Sequence, residues 1–168
     1  MALRTIITKG DPMLLKKCRP VTEFNEKLHI LLDDMRDTLI KSGGVGLAAP
    51  QVGILRRVVL VMETNVPENE DEYYIELINP EIISYEGDQT GPEGCLSVPG
   101  EYGIVSRPMS ATVRAQDRNG NTFEVSGEGL TARCFCHELD HLDGKLFTEL
   151  AQRMLSKEEI EGAAGDGD

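Results

Sequence analysis

The sequence predicts an α+β domain in which mostly antiparallel strands pack around a central helix, and three observations carry that prediction. An early segment repeats apolar residues with the helical period, and several later segments are β-branched or alternating runs closed by turn signals. The third is a His-Glu-x-x-His sequence among apolar residues, read as the central helix. An early surface helix and a short C-terminal helix complete the expected architecture.

The elements follow in order. Over residues 25–40, Leu28, Leu31, Leu32, Met35 and Leu39 recur at helical spacing, so this segment is expected to pack by one face. Gly43, Gly44 and Gly46 stop it and open a loop that runs through Leu47, Ala48, Ala49, Pro50 and Gln51 to Gly53. Residues 57–62 carry Val58, Val59 and Val61, which suit a buried strand. Residues 64–73 are acidic and contain Pro67, the composition of an exposed loop. Residues 74–78 and 81–85 read as two strands split at Asn79-Pro80, and 104–105, 111–117 and 122–125 as further strands. Arg118-Asn119-Gly120-Asn121 is the expected hairpin turn. The histidine-bearing helix should start near Gly129 or Leu130 and end near Gly144. A last helical stretch over 149–160 precedes residues 162–168, whose Gly, Ala and Asp content cannot anchor a tail to a core. The expected organisation is one domain over 1–161 and a flexible acidic tail over 162–168, without repeat or linker.

With 168 residues, the chain is long enough to bury one substantial core. Its 17 basic and 29 acidic residues give a net charge of -12, so the molecule as a whole repels phosphate backbones and no direct nucleic-acid site is expected. No apolar run approaches the roughly 20 residues needed to cross a bilayer, and the first residues lack a signal-peptide pattern, so a cytoplasmic location without membrane contact is expected. The 4 cysteines, Cys18, Cys95, Cys134 and Cys136, do not resemble a secreted disulfide framework and are read as reduced thiols.

His137-Glu138-Leu139-Asp140-His141 sets two imidazoles one helical turn apart, about 40° around the axis and roughly 6 Å along it, so both can reach one ion. Glu138 points to a neighbouring direction, where it can hold a water. A solvated helix face is the plain alternative, but Phe135, Leu139, Leu142 and Leu146 mark a buried helix, where imidazoles and carboxylates need partners.

A catalytic metal site usually takes three protein ligands and one open position. His29 reads as a surface histidine of the early helix, and Glu158, Glu159 and Glu161 as a solvated polar face. An astacin-like third histidine would fall at Phe147. Cys95, in Pro92-Glu93-Gly94-Cys95-Leu96-Ser97-Val98-Pro99-Gly100, sits at a bend built from Gly and Pro, where it is either a thiolate ligand or a small buried hydrophobe. The segment Gly43–Gly53 lets backbone approach a ligand closely and offers Gln51 as a polar donor; it lacks the lysine of a phosphate loop.

These three segments, in this order and spacing, resemble the signature motifs of the peptide deformylase family. Gly44-Val45-Gly46-Leu47-Ala48-Ala49-Pro50-Gln51 matches Gly-x-Gly-Leu-Ala-Ala-x-Gln, followed by Glu93-Gly94-Cys95-Leu96-Ser97 and by His137-Glu138-Leu139-Asp140-His141. Gly10-Asp11-Pro12 and the chain length also fit, so the likeness covers roughly residues 1–150. It implies a metal-dependent hydrolase that removes the formyl group from the initiator methionine of new polypeptides and releases formate. By that resemblance Cys95, His137 and His141 hold one divalent metal, with Fe(II) expected and Zn, Ni or Co also accepted. Glu138 is the general acid/base, and Gln51 and the Leu96 backbone N–H are oxyanion donors. Val45, Gly46, Glu93 and Cys134 are the implied substrate contacts, and the partners are N-formyl-methionyl peptides and nascent chains.

The chemistry has its own logic. A metal supplies an acidified water, Glu138 can take its proton and return it to the departing amine, and a formyl carbon bearing only hydrogen fits a narrow pocket. Asp140, one turn after His137, is expected to pair with a cation such as Arg107. Arg133 and Cys136 depart from the aliphatics and glutamine of many relatives. If Arg133 faces the methionine pocket, its stem should line the pocket while its guanidinium reaches water; Cys136 is an oxidation liability or core. Several relatives dock on the ribosome by a basic terminal helix, whereas Glu158, Glu159 and Glu161 make this one acidic, so docking by the tail is not expected. The rival readings are a metal module without catalysis and an ordinary zinc peptidase.

Overall fold

The structure, a computed structural model, describes residues 2–63 and 74–166. The expected loop at 64–73 and the last two residues of the expected tail lie outside the described residues. Helix α1 spans Glu26–Ser42. The Asn25 side chain accepts from the Leu28 N–H at 3.2 Å to cap its start, and Gly43, at φ 74, turns the chain left-handed to end it.

Strand β1, Gly46–Ala48, and a 3-10 turn, Ala49–Val52, replace the expected long loop. All three residues of β1 are buried, and Leu47 pairs with Leu60 of β2, Val58–Met62. A strand of three residues among glycines is too short to show a periodicity. In β2 the alternation divides the run of valines. Val59 and Val61 face one core, with Ala132, Phe135 and Leu142 of helix α2, Leu130–Leu142. Val58 and Leu60 face the other, with Leu28, Leu32, Met35 and Leu39 of α1. A strand buried on both faces reads as a continuous apolar run, and each such side chain contributes roughly 1.5–3 kcal/mol of burial free energy.

The expected split at Asn79-Pro80 is a bulge within one continuous strand, β3, Tyr74–Glu86. Asn79 takes a left-handed φ of 52 there. Its amide accepts from the Val21 N–H at 2.8 Å and donates to the Val21 carbonyl at 2.9 Å, which holds the kink without ending the strand.

Strands β4, Gln89–Cys95, and β5, Val98–Arg107, form a hairpin where only 104–105 was expected to be extended. Pro92 lies on the sheet's edge strand and Pro99 near the start of β5, positions at which a missing N–H is tolerated. β6, Ser110–Gln116, and β7, Thr122–Glu128, flank the expected turn, where Asp117 Oδ1 accepts from the N–H groups of Asn119 and Asn121.

The last helical stretch is in fact three elements: α3, Phe147–Leu150, β8, Arg153–Met154, and α4, Lys157–Asp166. Backbone bonds from Gln152 N–H to the Ile104 carbonyl and from Leu155 N–H to the Tyr102 carbonyl, both 2.8 Å, draw 152–155 onto β5 and interrupt the helix.

The strands form two antiparallel sheets, ordered β1-β2-β3-β6-β7 and β4-β5-β8. Helix α2 packs on the larger sheet, α1 covers that sheet's other face, and the smaller sheet carries a separate cluster of Val98, Val105 and Phe147. The fold is α+β, as expected. Among the described residues no helix is long and apolar enough to cross a membrane.

Candidate active site

Three elements meet around a cavity of about 420 Å³: the turn after β1 brings Gln51, the β4–β5 hairpin brings Cys95, and α2 brings His137 and Glu138. His141, one turn further along α2, is buried behind the cavity-lining residues, with its Nε2 3.3 Å from Cys95 Sγ. One donor atom each from Cys95, His137 and His141 lies within 4.8 Å of the others. A thiolate and two imidazoles suit Zn or Fe(II), and three ligands leave a position open.

The surroundings favour a cation at this point. Burial and repulsion by His137 push the His141 imidazole down to about 3, so it is neutral and able to bind a metal. Burial opposes a charged His137, yet Glu138, Cys95 and Glu93 overcome it and hold its pKa well above the usual value, an anionic lining that would equally favour a divalent ion in place of the Nε2 proton. Glu93 Oε2 is 2.7 Å from His137 Nδ1, so the Nδ1 proton would be kept and Nε2 would be the nitrogen free to meet an ion.

Glu138 is almost fully buried, and among the described residues its Oε1 has no hydrogen-bond partner. Burial raises its carboxyl to about 7, with the negative charges of Glu93 and Asp140 adding to the effect and His137 opposing it. A carboxyl titrating near neutrality can both accept and return a proton. Gly46 permits its placement, because a Cβ there would lie 2.6 Å from Glu138 Oε2.

The Gln51 amide is fixed at both ends. Its Oε1 accepts from the Ala48 N–H at 2.9 Å, while Nε2 donates to Ser97 Oγ at 3.1 Å and approaches Cys95 Sγ at 3.5 Å. The Ser97 N–H also points to that sulfur, at 3.4 Å. Leu96, Val45 and Cys134 line the cavity, and Leu96 packs over Gly44. Burial, with Glu138 nearby, pushes the Cys134 thiol up to about 12, so it is a protonated, compact wall.

Glu93 lines the cavity, and its two oxygens receive Arg107 Nε, Arg107 Nη2, Arg133 Nη1 and His137 Nδ1 at 2.7–3.1 Å, so the side chain braces His137. Arg133 departs from expectation. Its guanidinium is buried on Glu93 and on the Val105 carbonyl at 3.1 Å instead of reaching water, because an unpaired buried carboxylate would cost more than a buried pair. Asp140 does pair with Arg107, at 2.7 Å. Cys136 is buried on α2, its thiol raised by burial.

Sequence reasoning gave no role to Ser97, although it closes the Glu93–Ser97 motif, or to Phe147, whose ring lies 6.1 Å from the His137 ring, tilted by 30°. Both act through tertiary contact. His29 lies away from the site, 2.8 Å from the Arg118 carbonyl, and Glu159 pairs with Arg153.

The profile of the family described as polypeptide deformylase matches residues 3–157. The chain belongs to that family. It is 52% identical over 162 residues to the peptide deformylase of Caldanaerobacter subterraneus subsp. tengcongensis, covering 96% of this chain and 98% of the relative. It is 55% identical over 149 residues to that of Lachnoclostridium phytofermentans, covering 89% of each chain. The crystal structure of peptide deformylase from Thermotoga maritima superposes with a TM-score of 0.84 at 36% identity, covering 90% of this chain and 99% of that one. The deformylase family consists of metal-dependent hydrolases that remove the formyl group from an N-terminal methionine, and the Cys95, His137, His141 cluster of this member is suited to one ion.

Proposed function

We propose that this chain is a working deformylase of formyl-methionyl nascent chains and peptides, with residues 1–161 as its catalytic domain in the cytoplasm. One observation carries the reading: a buried carboxyl, Glu138, with one oxygen left unpartnered among the described residues, lines the cavity beside three convergent metal-binding side chains. A structural metal site needs no such group and is normally closed by a fourth protein ligand.

Cys95, His137 and His141 would hold a divalent ion, Fe(II) by family resemblance with Zn, Ni or Co as alternatives, which supplies an acidified water and polarises the formyl oxygen. Glu138 takes the water's proton as its oxygen adds to the formyl carbon. The same carboxyl then passes that proton to the methionine nitrogen as the C–N bond breaks, so formate and a free amine leave. Gln51 Nε2 and the Leu96 N–H stabilise the charge that builds on the formyl oxygen. Val45, Gly46 and Cys134 border the substrate, and their compactness favours a carbon bearing only hydrogen.

The acidic face of α4 makes docking to a ribosome through that helix unfavourable, and no nucleic-acid surface is proposed. The deciding assay follows release of formate from formyl-Met-Ala-Ser, with acetyl-Met-Ala-Ser and free Met-Ala-Ser as controls. Turnover of the formyl peptide alone supports the reading. Cleavage of internal peptide bonds would favour a peptidase, and no turnover by metal-loaded protein would leave a binding module.

A further inference from the structure

Cys95 and the two histidines belong to parts of the fold with separate apolar cores. Helix α2 is packed into the core of the larger sheet, whereas Cys95 packs with Val98, Val105 and Phe147. Buried charge links the two regions. Arg133, one turn before His137 on α2, donates from Nη1 to Glu93 Oε1 at 2.9 Å and to the Val105 carbonyl at 3.1 Å, and Nη2 approaches the Gln89 carbonyl at 3.5 Å. Gln89 and Glu93 lie on β4, the strand that ends in Cys95, and Val105 lies on β5. One guanidinium therefore grips both strands of the Cys95 hairpin from the helix that carries the histidines. Arg107 reaches the other way, from β5 to Asp140 on α2.

We propose that Arg133 is a positioning residue for the metal site, setting the separation between the Cys95 hairpin and α2 and thereby the reach of the thiolate to the imidazoles. The inference rests on reading Cys95, His137 and His141 as ligands of one ion. The planar fork of arginine can serve acceptors on two strands at once, which a compact ammonium cannot. Loss of the fork leaves Glu93 Oε1 with Arg107 alone, and the hairpin with one fewer tie to the helix.

The test loads the full chain with Co(II) and measures two properties: the visible absorption of the thiolate–cobalt centre and the rate of cobalt loss to excess EDTA. Arg133→Met keeps a stem of similar length without the fork. It should lose cobalt at least about tenfold faster, in the range of roughly 10- to 100-fold seen when groups behind metal ligands are removed, with an altered absorption band. Arg133→Lys should fall between Arg133→Met and the parent. Parental spectrum and loss rate in Arg133→Met overturn the assignment. Should that variant not fold, Arg133→Lys decides alone, and a parental loss rate there overturns it equally. Neither readout involves deformylation, so a chain inert toward formyl peptides that still loses cobalt faster on substitution would refute the proposed function and leave this inference standing.

Discussion

Glu93 Oε2 lies 2.7 Å from His137 Nδ1, and the same carboxylate receives Arg107 and Arg133, so one acidic side chain sets the tautomer of a candidate ligand while two guanidinium groups neutralise it. Burial alone would raise its pKa, but hydrogen bonds from His137 and Arg107 bring it down to about 2 from an ordinary 4.5. A carboxyl whose pKa falls on folding stabilises the native chain in full above its unfolded value, and that stabilisation is lost as pH drops through 4.5 toward 2. Denaturant unfolding of metal-free protein at pH 7 and pH 3 should show a steep loss in the parent. Glu93→Gln, less stable at neutral pH, should show a shallower dependence, and equal slopes would remove Glu93 from the acid response.

Glu138→Gln preserves shape but cannot accept a proton. It should bind metal normally and lose roughly 10²- to 10⁴-fold in kcat, as expected when a general acid/base is removed. Metal content by elemental analysis, measured beside formate release, checks both halves.

Gln51→Ala should also retain metal while kcat falls by roughly 10²- to 10³-fold, the usual loss for one oxyanion donor. Comparable turnover in metal-loaded protein would exclude that role. Because Ser97 shares the Gln51 amide, Ser97→Ala should produce a smaller fall in the same direction.

Gly46→Ala places a methyl 2.6 Å from Glu138 Oε2, the movable end of a side chain. An ordinary contact of 3.4 Å requires the carboxyl to move by about 0.8 Å, and Glu138 Cδ and Cγ are crowded as well at 3.0 Å, so kcat should fall at least about tenfold, since displacement of a reacting group is costly. Unaltered kcat would show that the Glu138 position seen here is not the working one.

Removal of metal with a chelator should abolish turnover, and Fe(II), Ni(II) or Co(II) added anaerobically should restore it. Restoration measured ion by ion identifies which metals sustain the reaction.

Much of this was legible in the sequence because its signals are local. The period of α1, the valines of β2 and the i, i+4 histidines each announce themselves within a few residues. β1 was hidden because three residues among glycines carry no period. The length of β5 was obscured by Pro99 and Gly100, which suggest a bend until the edge and the start of the sheet are known. The roles of Glu93 and Arg133 depend on which cations and carboxylates meet inside the protein, and adjacent sequence does not encode that. Pro92-Glu93-Gly94-Cys95 did offer a hint, since a carboxylate drawn inside beside a candidate ligand must find a cation.

Cys95 Sγ and His141 Nε2, 3.3 Å apart in space, belong to residues 46 positions apart in the chain. An ion held by Cys95, His137 and His141 would bridge the β4–β5 hairpin and helix α2, so its binding would stabilise the docked arrangement of the two over any opened one.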